Sequence, residues 1–191
     1  MHSIVRRNAH HQPKKLGEGF DMDGIMLVLR LIHIVAGVFW VGAAIMVAGY
    51  IEPTVRATAP NSQKFMQRLL AGNFPATVAT AALLTILAGL LLYWRDSGGF
   101  QINWITTSQG LILTLGALAA IGAGTEGFAV INPTTRRLGA LGAEITASGA
   151  PPTAGQMAEV SSLQDRLRRT GRRDAVLLVV AVAAMAIWRY V

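Results

Sequence analysis

Apolar residues in this chain come in long unbroken runs rather than in alternation. Residues 31–51 carry no formal charge and hold His33 among Ile, Val, Ala, Gly, Phe and Trp. A run of that length crosses a hydrocarbon layer of about 30 Å as a helix rising about 1.5 Å per residue. A second uncharged stretch covers 69–94 and is densest after Pro75. A third runs from about 105 to 125 and resumes past Glu126 to 131. A fourth covers 175–188. The fourth is short enough to compete with a buried soluble helix. Arg172 and Arg173 can snorkel at one of its ends, however, and Trp188 and Tyr190 suit an interface at the other. In lipid every backbone amide must be paired internally, which leaves helices or closed barrels. Barrel strands alternate polar and apolar positions, and these runs do not. The pattern therefore predicts an all-α polytopic membrane protein, four transmembrane helices in an antiparallel bundle, with spans at about 27–51, 69–94, 105–131 and 172–191.

Between the third and fourth spans the period changes. Leu138, Leu141 and Ile145 recur at helical spacing, and Gly, Ala and Pro at 148–155 read as a link. Thr153 and Gln156 have capping-box spacing, ahead of an apolar stripe at Met157, Val160, Leu163 and Leu167. Residues 134–170 thus read as a cytoplasmic helical hairpin extending the third and fourth helices, with Pro133 bending or ending the third. Gly116, Ala120 and Gly124 share one face of the third helix, a spacing that lets helix backbones approach. No long internal repeat is evident.

Composition agrees with this pattern. The 191 residues are 52% apolar and 14% charged, with a mean hydropathy of +0.45, which points away from a soluble globule. No cysteine is present, so disulfides, thiolate zinc sites and cysteine-ligated iron–sulfur clusters are excluded. The net charge of +7 is not a nucleic-acid footprint, because the basic residues flank the apolar runs and are not interleaved with aromatics. Arg56, Lys64, Arg68, Arg136, Arg137 and five arginines between 166 and 173 fall in the first and third loops. The other side, the amino-terminal tail apart, holds Arg30, Arg95 and Arg189. The positive-inside rule then puts the first and third loops in the cytoplasm and both termini outside a plasma membrane. Tyr93, Trp94, Trp104, Trp188 and Tyr190 would gather at the outer interface. The tail, residues 1–24, conflicts with this orientation through Arg6, Arg7, Lys14 and Lys15 and has no signal-peptide cleavage pattern. A natural start at Met22 or Met26, or a disordered tail, would account for it.

Two ionisable side chains fall inside the spans, where each is costly enough to call for a function. His33 lies inside the outer end of the first helix. Gly37 is one turn below it, leaving space for a flat ligand, and Trp40 is a further turn along nearly the same face. A neutral imidazole ligates haem iron or copper, and a thioether could complete the coordination, with Met185 at a similar depth in the fourth helix. Met26 shares the face of His33 at the membrane edge. Against ligation stands a plain hydrogen bond from His33 to a neighbouring helix. Glu126, near the cytoplasmic end, suits an ion pair with Arg136, Arg137 or another basic neighbour, or a proton relay. His2, His10 and His11 belong to the tail. No nucleotide loop and no hydrolytic motif is present, so neither nucleotide nor nucleic acid is an expected partner. The lipid bilayer is, together with a homodimer or larger membrane complex.

The stretch Leu31-Ile32-His33-Ile34-Val35-Ala36-Gly37-Val38-Phe39-Trp40-Val41-Gly42 places tryptophan seven residues after histidine and glycine two after that. It resembles the opening helix of CopD-like copper-resistance membrane proteins and of the bacterial membrane protoporphyrinogen oxidase, a small b-haem protein. The likeness extends loosely to Pro53, to Pro133 with Arg136, Arg137 and Leu138, and to the closing Met185 to Tyr190. It implies that His33 is a candidate ligand of haem b or copper, with Gly37, Trp40 and Met185 carried over less directly. The further histidine and charged residues of the oxidase family's later helices have no equivalents here. The expectation is a haem-binding or redox-associated membrane protein. The alternatives are a non-catalytic structural or assembly subunit of a membrane complex, or a copper-handling protein.

Overall fold

The computed structural model describes residues 22–59 and 62–191, so tail residues 1–21, including His2, His10 and His11, lie outside the described residues, and the last three assigned to the tail, 22–24, open the first helix instead. Every regular element among the described residues is helical: α1 (Met22–Met46), α2 (Glu52–Ala57), α3 (Gln63–Ala71), α4 (Phe74–Asp96), α5 (Ile102–Ile105), α6 (Ser108–Glu126), α7 (Asn132–Ser148) and α8 (Ala154–Ile187). Among the described residues, three helical stretches are long and apolar enough to cross a membrane: Met22–Ala57, Phe74–Asp96 and Ser108–Ser148. This architecture fits a helical membrane protein. In α8 the uncharged stretch, 175–187, is shorter and follows directly on Arg172, Arg173 and Asp174.

The helix ends follow local chemistry. The apolar run from Leu69 is divided, because Gly72 and Asn73 end α3 and α4 restarts with Pro75 in its first turn, where a missing N–H costs nothing. Thr107 caps α6 by accepting from the Gly110 N–H at 3.1 Å. Thr153 and Gln156 form both bonds of a capping box, Thr153 N to Gln156 Oε1 at 2.9 Å and Gln156 N to Thr153 Oγ1 at 3.2 Å. α7 ends at Gly149, whose φ of 63° suits glycine.

Pro133 neither ends nor breaks its helix. A π-helical turn, Gly127–Ile131, precedes it, and the Asn132 N–H reaches back five residues to the Gly127 carbonyl. The widened turn moves aside the carbonyl that a proline ring would otherwise strike. The same device stands before Pro53, where Val47–Ile51 forms a π-turn closed by Glu52 N–H to Val47 O. The sequences match at an offset of 80: Ile51, Pro53, Thr54 and Arg56 correspond to Ile131, Pro133, Thr134 and Arg136. Leu31-Ile32 and Gly42-Ala43 likewise correspond to Leu111-Ile112 and Gly122-Ala123. The apolar parts of α4 and α8 each end in Trp-Arg, at Trp94-Arg95 and Trp188-Arg189. The fold is thus two similar helical hairpins, α1 along α4 and α6 along α8, with smaller contacts between α1 and α8 and between α4 and α6. The repeat escaped the sequence reading because few identities fall within its apolar segments.

Alanines dominate the buried positions beside a few large residues, and many large apolar side chains face outward. Trp40, Ala81, Ala82, Ala123 and Leu178 form the buried cluster, whereas Leu27 and Val38 are each 70% exposed. Lipid offers Leu and Val the same surroundings as a protein interior would, so close backbone contact at small residues must hold such helices together. A Cβ on Gly116 would lie 2.9 Å from Ala184 Cβ and 3.3 Å from the Ala181 carbonyl. Tyr93, Trp104 and Trp188 make an edge-to-face chain, with ring centroids 5.9 and 6.3 Å apart. Gly116→Val should push α8 off α6 and lower stability by about 2 kcal/mol, seen as a lower thermal midpoint in detergent. Gly42→Ala, with nothing within 4 Å of its new methyl, should leave that midpoint unchanged.

Candidate functional site

His33 lies half-buried on the α4-facing side of α1. Its Nδ1 is 2.8 Å from the Thr85 carbonyl oxygen. A carbonyl only accepts, so Nδ1 carries the proton and donates, and in the neutral ring Nε2 keeps its lone pair. Nε2 has no hydrogen-bond partner among the described residues. The ring fits against α4 because residue 89 is glycine: a Cβ there would meet His33 Cε1 at 2.7 Å and Nδ1 at 3.0 Å. Thr85 completes the seat. Its hydroxyl donates back to the Ala81 carbonyl at 2.7 Å, and its carbonyl accepts from the imidazole.

The other first-helix residues have structural surroundings of their own. The space beside Gly37 is taken by the Thr85 methyl, 3.4 Å from where a Cβ would stand, so this glycine brings α1 close to α4. Trp40 is 4% exposed and sits in the central cluster, reaching the Gly124 position of α6. Met185 packs at Gly116 in the α6–α8 pair. Met26 is buried near the start of α1. Among the described residues no group of three or more His, Cys, Asp or Glu side chains converges.

The second cluster joins α6 to α8. Arg173 Nη2 contacts Glu126 Oε1 at 3.0 Å, so the basic partner of Glu126 comes from α8, while Arg137 pairs instead with Glu159 at 2.7 Å and Glu144 at 3.4 Å. Glu126 Oε2 is buried without a hydrogen-bond donor. Asp174 is 5% exposed, and its Oδ1 is equally unpartnered. Glu126 thus has one guanidinium partner, and Asp174 has no ion-pair partner among the described residues. Asp174 was passed over in the sequence because it follows two arginines at the edge of an apolar run and reads as an interface charge. Thr85 and Gly89 were passed over because nothing distinguishes them within α4 until α1 is laid against it.

Gly89→Ala should displace the imidazole and break its bond to Thr85, costing about 1–2 kcal/mol as a lowered thermal midpoint. Asp174→Asn should raise that midpoint, since it keeps the shape and removes an uncompensated buried charge. Neither known family models, nor characterised proteins, nor solved structures match this chain.

Proposed function

We propose that this chain is a four-span plasma-membrane protein that binds b-type haem, or otherwise takes part in redox chemistry, through His33. The reading includes a fourth span in the carboxy-terminal part of α8, with the first and third connections cytoplasmic and both termini outside. In support of that span, α8 runs unbroken along α6, and its uncharged stretch lies between paired arginines and the Trp188–Arg189 end.

One observation carries the haem reading. The Thr85 carbonyl fixes His33 in the tautomer that leaves Nε2 free, the arrangement by which a second partner commonly orients a ligating histidine. Nε2 would hold the haem iron, and a bound haem would supply one-electron chemistry at a potential set by its ligands and its burial. The second ligand would be Met185, which packs at Gly116 on α6, or would come from another chain, as in a homodimer. Copper bound through the same nitrogen would need thioether partners.

A second reading, a non-catalytic structural or assembly subunit, is favoured by the same bond seen differently. The imidazole already joins α1 to α4, which accounts for its presence without any ligand. An absorbance spectrum and metal analysis of the purified full chain, with and without added haem, separate the two. The haem reading expects a Soret band that His33→Ala abolishes. No Soret band after haem supplementation, with His33→Ala lowering only the thermal midpoint, would leave the structural role.

A further inference from the structure

A cavity of about 390 Å³ opens between the two hairpins at the end where α2, α3 and α7 lie. Its walls come from matching positions of the repeat: Ala44 and Gly124, Val47 and Gly127, Ala48 and Phe128, Glu52 and Asn132, Val55 and Thr135. Both π-turns therefore border it, and the junction between structural repeats is a recurrent place for ligand sites in membrane bundles. Trp40, Leu70, Phe74, Val78 and Phe128 make much of the lining apolar.

Its charged lining comes from α2 and α8. Glu52 pairs with Arg56 at 3.7 Å, and Asp165 with Arg168 at 2.7 Å. Two charges of opposite sign remain. Arg172 has no ion-pair partner among the described residues, and Asp174, 5% exposed, turns an unpartnered carboxylate oxygen to a buried place. A sealed acceptor without a donor is costly, so this wall is complementary to a group that brings one.

We propose that this cavity binds a phospholipid whose zwitterionic headgroup carries a primary ammonium. The ammonium donates to Asp174, the phosphate accepts from Arg172, and acyl chain lies against Trp40, Phe74 and Val78. An anionic headgroup would answer Arg172 but leave Asp174 facing a like charge. A fatty amine would answer Asp174 alone. A choline headgroup has the charges but no N–H to donate. The proposal does not depend on His33 or on a bound haem.

The full chain, purified in dodecyl maltoside and stripped of lipid, is titrated with palmitoyl-oleoyl phosphatidylethanolamine, phosphatidylcholine and phosphatidylglycerol and followed by native mass spectrometry. The expected result is a one-to-one phosphatidylethanolamine complex about tenfold tighter than either other lipid, the ratio expected for one charge-assisted hydrogen bond. Asp174→Asn should remove most of the preference over phosphatidylcholine. Arg172→Gln, at an exposed side chain, should weaken both zwitterionic lipids alike, and Val78→Phe should reduce all binding by filling the cavity. Circular dichroism and gel filtration establish that each variant is folded. Phosphatidylglycerol binding as tightly as phosphatidylethanolamine would overturn the proposal. So would equal binding of the two zwitterionic lipids, or a preference that survives Asp174→Asn.

Discussion

Helix backbones in a bilayer draw together only where their side chains are short, because leaving lipid gives a leucine nothing it did not already have. The bundle is organised around such places. Gly116 lets α8 lie against α6 with Ala184 in contact, Gly37 lets Thr85 approach α1, and Gly89 receives an imidazole where any side chain would exclude it. The His33 seat is thus one more small-residue contact between helices, with the difference that the inserted group brings a proton donor to a backbone carbonyl. Structure and candidate chemistry share one cause there, and removing Gly89 would disturb both.

The proline-containing turns shape the other end. Each proline would collide with the preceding turn of an ordinary helix, and each is preceded by a five-residue π-turn that opens the spiral. Because the two turns occupy matching positions in the two hairpins, their widened segments face a common space. The hairpins are alike in outline and unlike in chemistry. Position 33 is histidine where 113 is leucine, 40 is tryptophan where 120 is alanine, and 126 is glutamate where 46 is methionine. The reactive side chains therefore lie on one copy of each pair, while the proline and π-turn recur in both.

The buried acidic pair shows how an ionic site depends on placement. Glu126 meets Arg173 rather than the arginines just beyond its own helix, because α8 passes closer to it than α7 does, and Arg137 is held by Glu159 and Glu144. Asp174 is then left inside with an oxygen unpaired. The sequence left the partner open among several basic residues, and the crossing of α6 with α8 selected Arg173.

Much of the architecture was legible from the runs themselves. Long charge-free stretches can satisfy their amides only as helices, so the apolar helices around His33, after Pro75 and around Gly116 follow from local rules, as do the Thr153 cap and the stop at Gly149. Intramembrane histidine and glutamate were visible as costly residues for the same reason. What a residue touches across the bundle was not legible. Helix periodicity gives the face a side chain occupies but not the depth or register at which another helix arrives. The pairing of His33 with Thr85 and Gly89 and the closing of the Gly37 space were decided when α1 packed along α4, and the cavity between the π-turns when the two hairpins docked, since each depends on the relative shift of helices that the chain joins through intervening segments.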